Sequence, residues 1–273
     1  MIYTIEKEYI KIIDKSEFNI EHILECGQVF CFNKKDNGYE VFPQDKYAFV
    51  VEEEDCYKIF TENKNYFVKY FDLDRNYSKV KEELNKHKIM QKPIEFGYGI
   101  RILKQDLFET LISFIISANN NIKRIKLILN NLRKNLSEDG KSFPSYDQLK
   151  SCDEQFFKQM GAGYRASYLY KVLRQITPKQ LEEYSSLNTD ALREKLILLS
   201  GVGSKVADCI LLFGFNRFDV FPVDTWIQKM YNSFYSPLEN RRMISKILVK
   251  QFSKQSGFAQ QYLFYYQRSF LKK

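Results

Sequence analysis

The period of the hydrophobic positions changes along the chain. In the first 80 residues it is short. Val29, Phe30 and Phe32 precede Asn37-Gly38, and Tyr39, Val41 and Phe42 continue beyond it. Asn-Gly between apolar runs favours a two-residue hairpin. Tyr47–Val51 and Cys56–Phe60 flank the acidic stretch Glu52–Asp55, which predicts a second hairpin with a solvated tip. Tyr66–Phe71 is a further strand or a lead into helices. The expectation is an antiparallel sheet lobe over residues 1–80.

From about residue 75 the period lengthens to that of a helix. Tyr77–Lys88 is charged and amphipathic. Leu107, Leu111, Phe114 and Ile115 make one apolar face, which stops at Asn119-Asn120-Asn121. Ile122, Ile125, Leu129 and Leu132 open another. Three asparagines between apolar helices read as a capping turn. The basic flank Lys123, Arg124 and Lys126 turns that edge toward a polyanion. A polar loop covers 137–146. Phe156-Phe157 belong to a short helix ending at Gly161-Ala-Gly163, and Tyr164 and Arg165 open the next, through Tyr168, Val172 and Ile176. After Trp226 come one helix with Arg241, Arg242, Lys246 and Lys250 and a last one around Ala259–Phe270. The fold class expected is α+β, with a mainly helical region over 81–273.

One interruption stands out. Leu192, Leu196 and Leu199 recur at helical spacing, Gly201-Val-Gly203 breaks it, and Val206, Ile210 and Phe213 resume it. Two helices joined by a glycine hairpin over 191–213 are the direct reading. Glycines let a backbone approach a ligand closely, and free amides at a helix N-terminus bind anions such as phosphate. Ser204 is the expected N-cap of the second helix. Lys205 then lies in the first turn, where the helix dipole disfavours an ammonium, and an amine nucleophile needs its lone pair. Asp224, after Pro222-Val223 and before the periodic run Trp226, Ile227 and Met230, reads as another N-cap. An amine, a carboxylate and a phosphate grip suggest chemistry on a nucleic-acid sugar. Taken singly, Lys205 would be an ordinary surface lysine and Asp224 a purely structural cap.

Composition changes this picture in three ways. A net charge of +8 and a pI near 9.0 favour a polyanionic partner, nucleic acid before a membrane surface. The opening residues lack a signal-peptide apolar region, and no run approaches a membrane span. Five scattered cysteines, Cys26, Cys31, Cys56, Cys152 and Cys209, predict a reducing compartment: cytoplasmic, intracellular and DNA-associated. No metal site is expected, because no second pair accompanies Cys26 and Cys31. Two histidines, His22 and His87, leave little room for histidine-centred catalysis.

The stretch Leu199-Ser-Gly-Val-Gly-Ser-Lys205, followed by Pro222-Val-Asp224, resembles the signature of helix-hairpin-helix DNA glycosylases. More closely, the chain is similar to the 8-oxoguanine DNA glycosylase/AP lyase family. The resemblance extends to Phe71-Asp-Leu-Asp74, Gly99–Asp106, Phe114–Arg124, Gly163-Tyr-Arg165 and Gly257-Phe-Ala-Gln260. It implies base excision from oxidised duplex DNA by a monomer with no cofactor. The iron–sulfur cluster of some helix-hairpin-helix glycosylases is not expected, since no cysteine follows Cys209.

By the same resemblance Lys205 is the nucleophile, forming a Schiff base that permits β-elimination, and Asp224 assists it. Gly27 supplies a backbone carbonyl that accepts the N7 hydrogen of 8-oxoguanine and repels the lone pair of guanine. Gln260 reads the Watson–Crick edge, and Phe264 and Cys209 sandwich the base. Cys209 also lies one turn beyond Lys205 on the same helix face. Asn119, Arg124 and Arg165 engage the orphaned cytosine, and Tyr164 is the wedge. Gly201, Gly203 and Val206 contact phosphate. Two positions depart from the family: Ser200 stands where proline is usual, and Trp226 where a phosphate-contacting histidine is common. The alternatives are a helix-hairpin-helix glycosylase for another damaged base and a non-enzymatic DNA-binding module.

Overall fold

The computed structural model describes residues 3–270. Six strands, β1 (Tyr3–Ile5), β2 (Tyr9–Ile12), β3 (Phe32–Lys35), β4 (Gly38–Val41), β5 (Ala48–Glu52) and β6 (Tyr57–Phe60), form one antiparallel sheet of order β1-β2-β6-β5-β4-β3. Alternation sets its buried face. Ile10, Ile12, Tyr39, Val41, Ala48, Val50, Tyr57 and Ile59 point inward. The sheet lobe is not all strand. α1 (Ile20–Glu25) and α2 (Lys64–Tyr70) interrupt it. Asn19 caps α1 by accepting from the His22 amide, and Ile20, Ile23 and Leu24 then bury one face at helical spacing. Tyr66–Phe71 is thus a helix and its C-cap.

The first hairpin turns one residue earlier than Asn-Gly suggests. Lys35 pairs with Gly38, so the turn residues are Asp36 and Asn37, neither with positive φ. Gly38 is needed for another reason: a Cβ there would meet the Val50 carbonyl oxygen at 2.3 Å. The acidic tip behaves as expected, with Glu53 N–H donating to Cys56 O at 2.8 Å.

The rest is helical: α3 (Tyr77–Asn85), α4 (Gln91–Phe96), α5 (Leu107–Ser117), α6 (Ile122–Leu136), α7 (Tyr146–Ser151), α8 (Glu154–Gln159), α9 (Arg165–Gln175), α10 (Pro178–Glu183), α11 (Thr189–Ile197), α12 (Ser204–Phe213), α13 (Thr225–Phe234), α14 (Arg241–Phe252) and α15 (Ser256–Phe270). The α+β class stands. There are two apolar cores, and neither follows chain order strictly. Cys26 and Phe30 from the sheet lobe belong to the helical core, and Leu103 belongs to the sheet core.

Buried polar groups fasten the two parts together. Arg101 is fully buried and donates to the carbonyls of Phe71 (2.8 Å), Glu17 (3.0 Å) and Asp72. Glu109 on α5 pairs with Arg133 on α6 at 2.5 Å and accepts from the Gln44 amide at 2.9 Å. Burial pushes the Glu109 carboxyl up, and Arg133 offsets part of that. Among the described residues no helix is long and apolar enough to cross a membrane.

Candidate active site

The hairpin forms as the glycine pattern requires, with one change at its cap. Gly201 takes φ +82°, and a Cβ there would meet Tyr168 Cβ at 2.8 Å. The N-cap of α12 is Gly203, not Ser204, which is the first helical residue. A serine in the cap would spend its oxygen on a first-turn amide. Gly203 offers no side-chain cap, has open space around it, and leaves those amides facing outward. An open groove of about 580 Å³ runs along this edge. It is lined by Gly201, Gly203, Lys205 and Val206 from the hairpin, and by Tyr164, Tyr168 and Ala118 from the facing elements.

Lys205 also lines a second, narrower space. This cavity of about 40 Å³ is bounded by Lys205, Asp224, Gly27, Cys209, Gln260 and Phe264, six residues drawn from four separated parts of the chain. Pro222 of the Pro-Val-Asp signature also lines it, and Cys26, Phe114, Phe213 and Gln261, to which the sequence assigned no site role, complete the lining. Phe114 and Phe213 stack at 5.4 Å and read from spacing as ordinary core faces. Cys26 and Gln261 adjoin residues that were singled out, but nothing in their own pattern marks them.

Several polar atoms around this cavity have no hydrogen-bond partner among the described residues. Lys205 forms no ion pair among the described residues, and its amine lies 5.8 Å from the Phe114 ring centre. Asp224 caps α13: its Oδ1 accepts from Trp226 N and Ile227 N, each at 2.9 Å. Its Oδ2 has no hydrogen-bond partner among the described residues. Gln260 is 5% exposed, and its Oε1 is buried without a partner. Gly27 takes φ +83°, and a Cβ there would press on Phe264 Cε1 at 3.0 Å. Burial pushes the Cys209 thiol up, and the adjacent Lys205 offsets part of the shift. Asp208, also on α12, is engaged by Arg193 at 2.7 Å and does not line the cavity.

A cluster at the far end of the groove is organised differently. Asn119 takes φ +49° and is exposed. The carbonyl of Ala118 accepts from Tyr164 Oη (3.2 Å), Arg165 Nε (2.8 Å) and Arg165 Nη2 (2.6 Å). Arg165 Nη2 donates to Asn119 O at 2.7 Å, and Nη1 to Ala162 O at 3.3 Å. Arg165 is only 3% exposed, whereas Tyr164 is 54% exposed. Arg124 is exposed and donates to Gly161 O at 3.1 Å. Trp226 is half-buried in the first turn of α13, with the Lys229 amine 5.4 Å from its ring centre, and lines neither space. Among the described residues no group of three or more His, Cys, Asp and Glu side chains is placed to hold a metal ion.

Comparison with known proteins agrees with this geometry. The family model for the N-terminal domain of 8-oxoguanine DNA glycosylase matches residues 11–111, and that of the HhH-GPD superfamily of base excision DNA repair proteins matches residues 112–254. The N-glycosylase/DNA lyase of Saccharomyces cerevisiae is 30% identical over 279 residues, covering 87% of this chain and 74% of that protein. The Arabidopsis thaliana N-glycosylase/DNA lyase OGG1 is 35% identical over 187 residues, covering 61% of this chain and 51% of that protein. The crystal structure of the Clostridium acetobutylicum 8-oxoguanine glycosylase/lyase, in complex with double-stranded DNA containing cytosine opposite 8-oxoguanine, superposes with a TM-score of 0.92 at 36% identity, over 99% of each chain.

Proposed function

The chain belongs to the 8-oxoguanine DNA glycosylase family of N-glycosylase/DNA lyases, and we propose that it excises 8-oxoguanine opposite cytosine from duplex DNA and then nicks the strand through a Lys205 Schiff base. The observation that carries this reading is the position of Lys205. Among the described residues it is the one that lines both the hairpin groove and the cavity. A strand gripped by the hairpin amides would present its sugar to that amine, while the base enters behind it.

A base inside a stacked duplex is out of reach, so the nucleotide is extruded, at a cost of about a few kcal/mol. The exposed ring of Tyr164 suits the gap that is left. Gly201, Gly203 and Val206 hold the phosphates through their backbone, and the Trp226 indole adds a neutral donor where the family commonly has a histidine. The cavity of about 40 Å³ is too small for a purine, so entry requires its lining to move. Phe264 and Cys209 then flank the base, Gln260 reads its Watson–Crick edge, and the Gly27 carbonyl accepts the N7 hydrogen. Guanine presents a lone pair at N7, and the difference is worth about a few kcal/mol.

The chemistry follows from the lone pair of the Lys205 amine. Nζ attacks C1′, the bond from C1′ to the base breaks, and the base leaves with the bonding electrons. The free Asp224 oxygen faces the positive charge that develops on the sugar and accepts the amine proton. The nitrogen lone pair then expels O4′, which takes the proton held by Asp224, and the opened sugar carries a protonated imine between Nζ and C1′. The departed base anion takes a proton from C2′, and the electrons released expel the 3′ phosphate, which is β-elimination. Asn119, Arg124 and Arg165 read the cytosine left behind.

The test uses duplexes with 8-oxoguanine opposite each of the four bases. Cleavage should be fastest opposite cytosine, and borohydride should trap a covalent complex. Lys205→Gln should abolish trapping and lower strand cleavage by about a thousandfold or more. A Lys205→Gln protein that still traps, or cleaves at the wild-type rate, removes the proposed nucleophile. Excision of an alkylated base with 8-oxoguanine left intact would assign a different lesion.

A further inference from the structure

The segment Glu25–Gln28, whose Cys26 and Gly27 line the cavity, has four successive carbonyls beyond α1, and three are occupied. Glu25 O accepts from Arg268 Nη2. Cys26 O accepts from Gln261 Nε2 at 2.7 Å. Gln28 O accepts from Gln105 Nε2 at 2.8 Å. Gly27 O has no hydrogen-bond partner among the described residues. The Gln28 side chain is fully buried and fixes its own residue three ways. It donates to Ile23 O at 2.9 Å and Arg101 O at 2.7 Å, and accepts from Leu103 N at 2.9 Å.

This arrangement answers a weakness of any glycine reader. A carbonyl next to a glycine can swing, because the backbone there has few steric limits. A swinging carbonyl would simply turn away from the guanine lone pair, and the repulsion that rejects guanine would vanish. Discrimination needs the acceptor held where it is, before the base arrives. The Gly27 carbonyl sits in the peptide unit shared with Gln28. Gln261 fixes the unit before it, and Gln28 with Gln105 fixes the unit after it. Gln261 is 1% exposed and lies on α15, beside Gln260 and three residues before Phe264. The acceptor and two other residues of the cavity are thus tied into one rigid body.

We propose that Gln261 and Gln105 are positioning residues for lesion discrimination, holding the carbonyls on either side of Gly27 so that the one free carbonyl stays aimed into the cavity. This rests on the reading of Gly27 as the acceptor for the N7 hydrogen of 8-oxoguanine. The role is separable from the chemistry of Lys205, because a preformed abasic site has no base to read.

The test compares Gln261→Leu and Gln105→Leu on two substrates, a duplex with 8-oxoguanine opposite cytosine and one with a preformed abasic site opposite cytosine. In Gln261→Leu, base excision should fall about tenfold, with strand cleavage at the abasic site falling less than about twofold. Gln105→Leu should show the same selectivity with a smaller loss. In a Lys205→Gln background, the ratio of affinities for 8-oxoguanine and guanine duplexes should narrow by a similar factor. Equal falls on both substrates, or an unchanged ratio, would overturn the positioning role. Gln105 is half-buried, so its variant decides the matter alone if Gln261→Leu does not fold. A wild-type protein that leaves 8-oxoguanine intact refutes the proposed substrate instead, and that result is read before either variant is made.

Discussion

Two regions flank the hairpin groove, and their polar groups are in opposite states. Around the narrow cavity, Gln260 Oε1, Asp224 Oδ2 and the Gly27 carbonyl have no hydrogen-bond partner among the described residues. In the cluster of Ala118, Asn119, Tyr164 and Arg165, the guanidinium already donates to three backbone carbonyls. A buried polar atom without a partner costs stability, and Gln260 Oε1 bears that cost beside a cavity where a ligand can supply the missing bond. The cavity is therefore organised ahead of its ligand. The cluster largely satisfies itself, and Arg165 spends four of its five N–H groups on the chain, which leaves one for anything else. Rejection of a wrong base in the cavity should accordingly be stricter than rejection of a wrong base opposite it.

The largest expected effect is on stability and falls in the cluster. Arg165→Met keeps the length of the side chain but leaves the Asn119 carbonyl without its donor and the Ala118 carbonyl with the Tyr164 hydroxyl alone. It should destabilise the free protein by about 2–3 kcal/mol, measured by urea denaturation. Its effect on the preference for cytosine over the other opposite bases should be only about a few-fold. A large loss of opposite-base preference with unchanged stability would mean that Arg165 is not spent on the chain, and the contrast would fail.

The cavity should respond with the opposite sign. Gln260→Leu removes a buried oxygen that has no partner. The free protein should become more stable by about 1 kcal/mol, while excision of 8-oxoguanine drops about tenfold. A stability loss together with the activity loss would show that Gln260 is already engaged before the base enters.

These contrasts explain which parts of the site were legible in the sequence. The hairpin was, because its signals are local: two glycines, an interrupted helical period and a lysine just beyond. Asp224 was, because an N-cap is also local. Gly27, Gln260 and Phe264 come from opposite ends of the chain, and no period connects them. They were reached only through the family resemblance. The clamps made by Gln261 and Gln105 carry no local pattern at all, since a glutamine that bonds a distant carbonyl looks like any polar residue. Arg165 could be placed in sequence, yet its occupation by Ala118 and Asn119 depends on how α5 and α9 meet. In the fold, the change from sheet to helix was legible from the hydrophobic period. α1 was not, because six residues show less than two turns of it. The hairpin turn shifted by one residue because Gly38 serves a close approach of β5 rather than a positive φ.

The smallest effect concerns the thiol inside the cavity and tests whether its setting is as dry as an unfilled, ligand-ready space implies. Burial disfavours the Cys209 thiolate and raises the thiol above its ordinary range, and the Lys205 charge favours the thiolate and offsets part of that. Only the thiolate is alkylated. At neutral pH, iodoacetamide should therefore modify Cys209 slowly, with the rate rising once the pH passes the ordinary thiol value of about 8.5. Removing the Lys205 charge takes away the favourable partner, so Lys205→Gln should slow the reaction further. Peptide mass spectrometry separates Cys209 from the other four cysteines, which are also buried and free. Faster alkylation in Lys205→Gln would mean that the lysine shields the thiol sterically more than it stabilises the thiolate. Rapid alkylation of the wild type at neutral pH would mean that the cavity is open to solvent, and the polar atoms described as waiting for a base would instead be bonded to water.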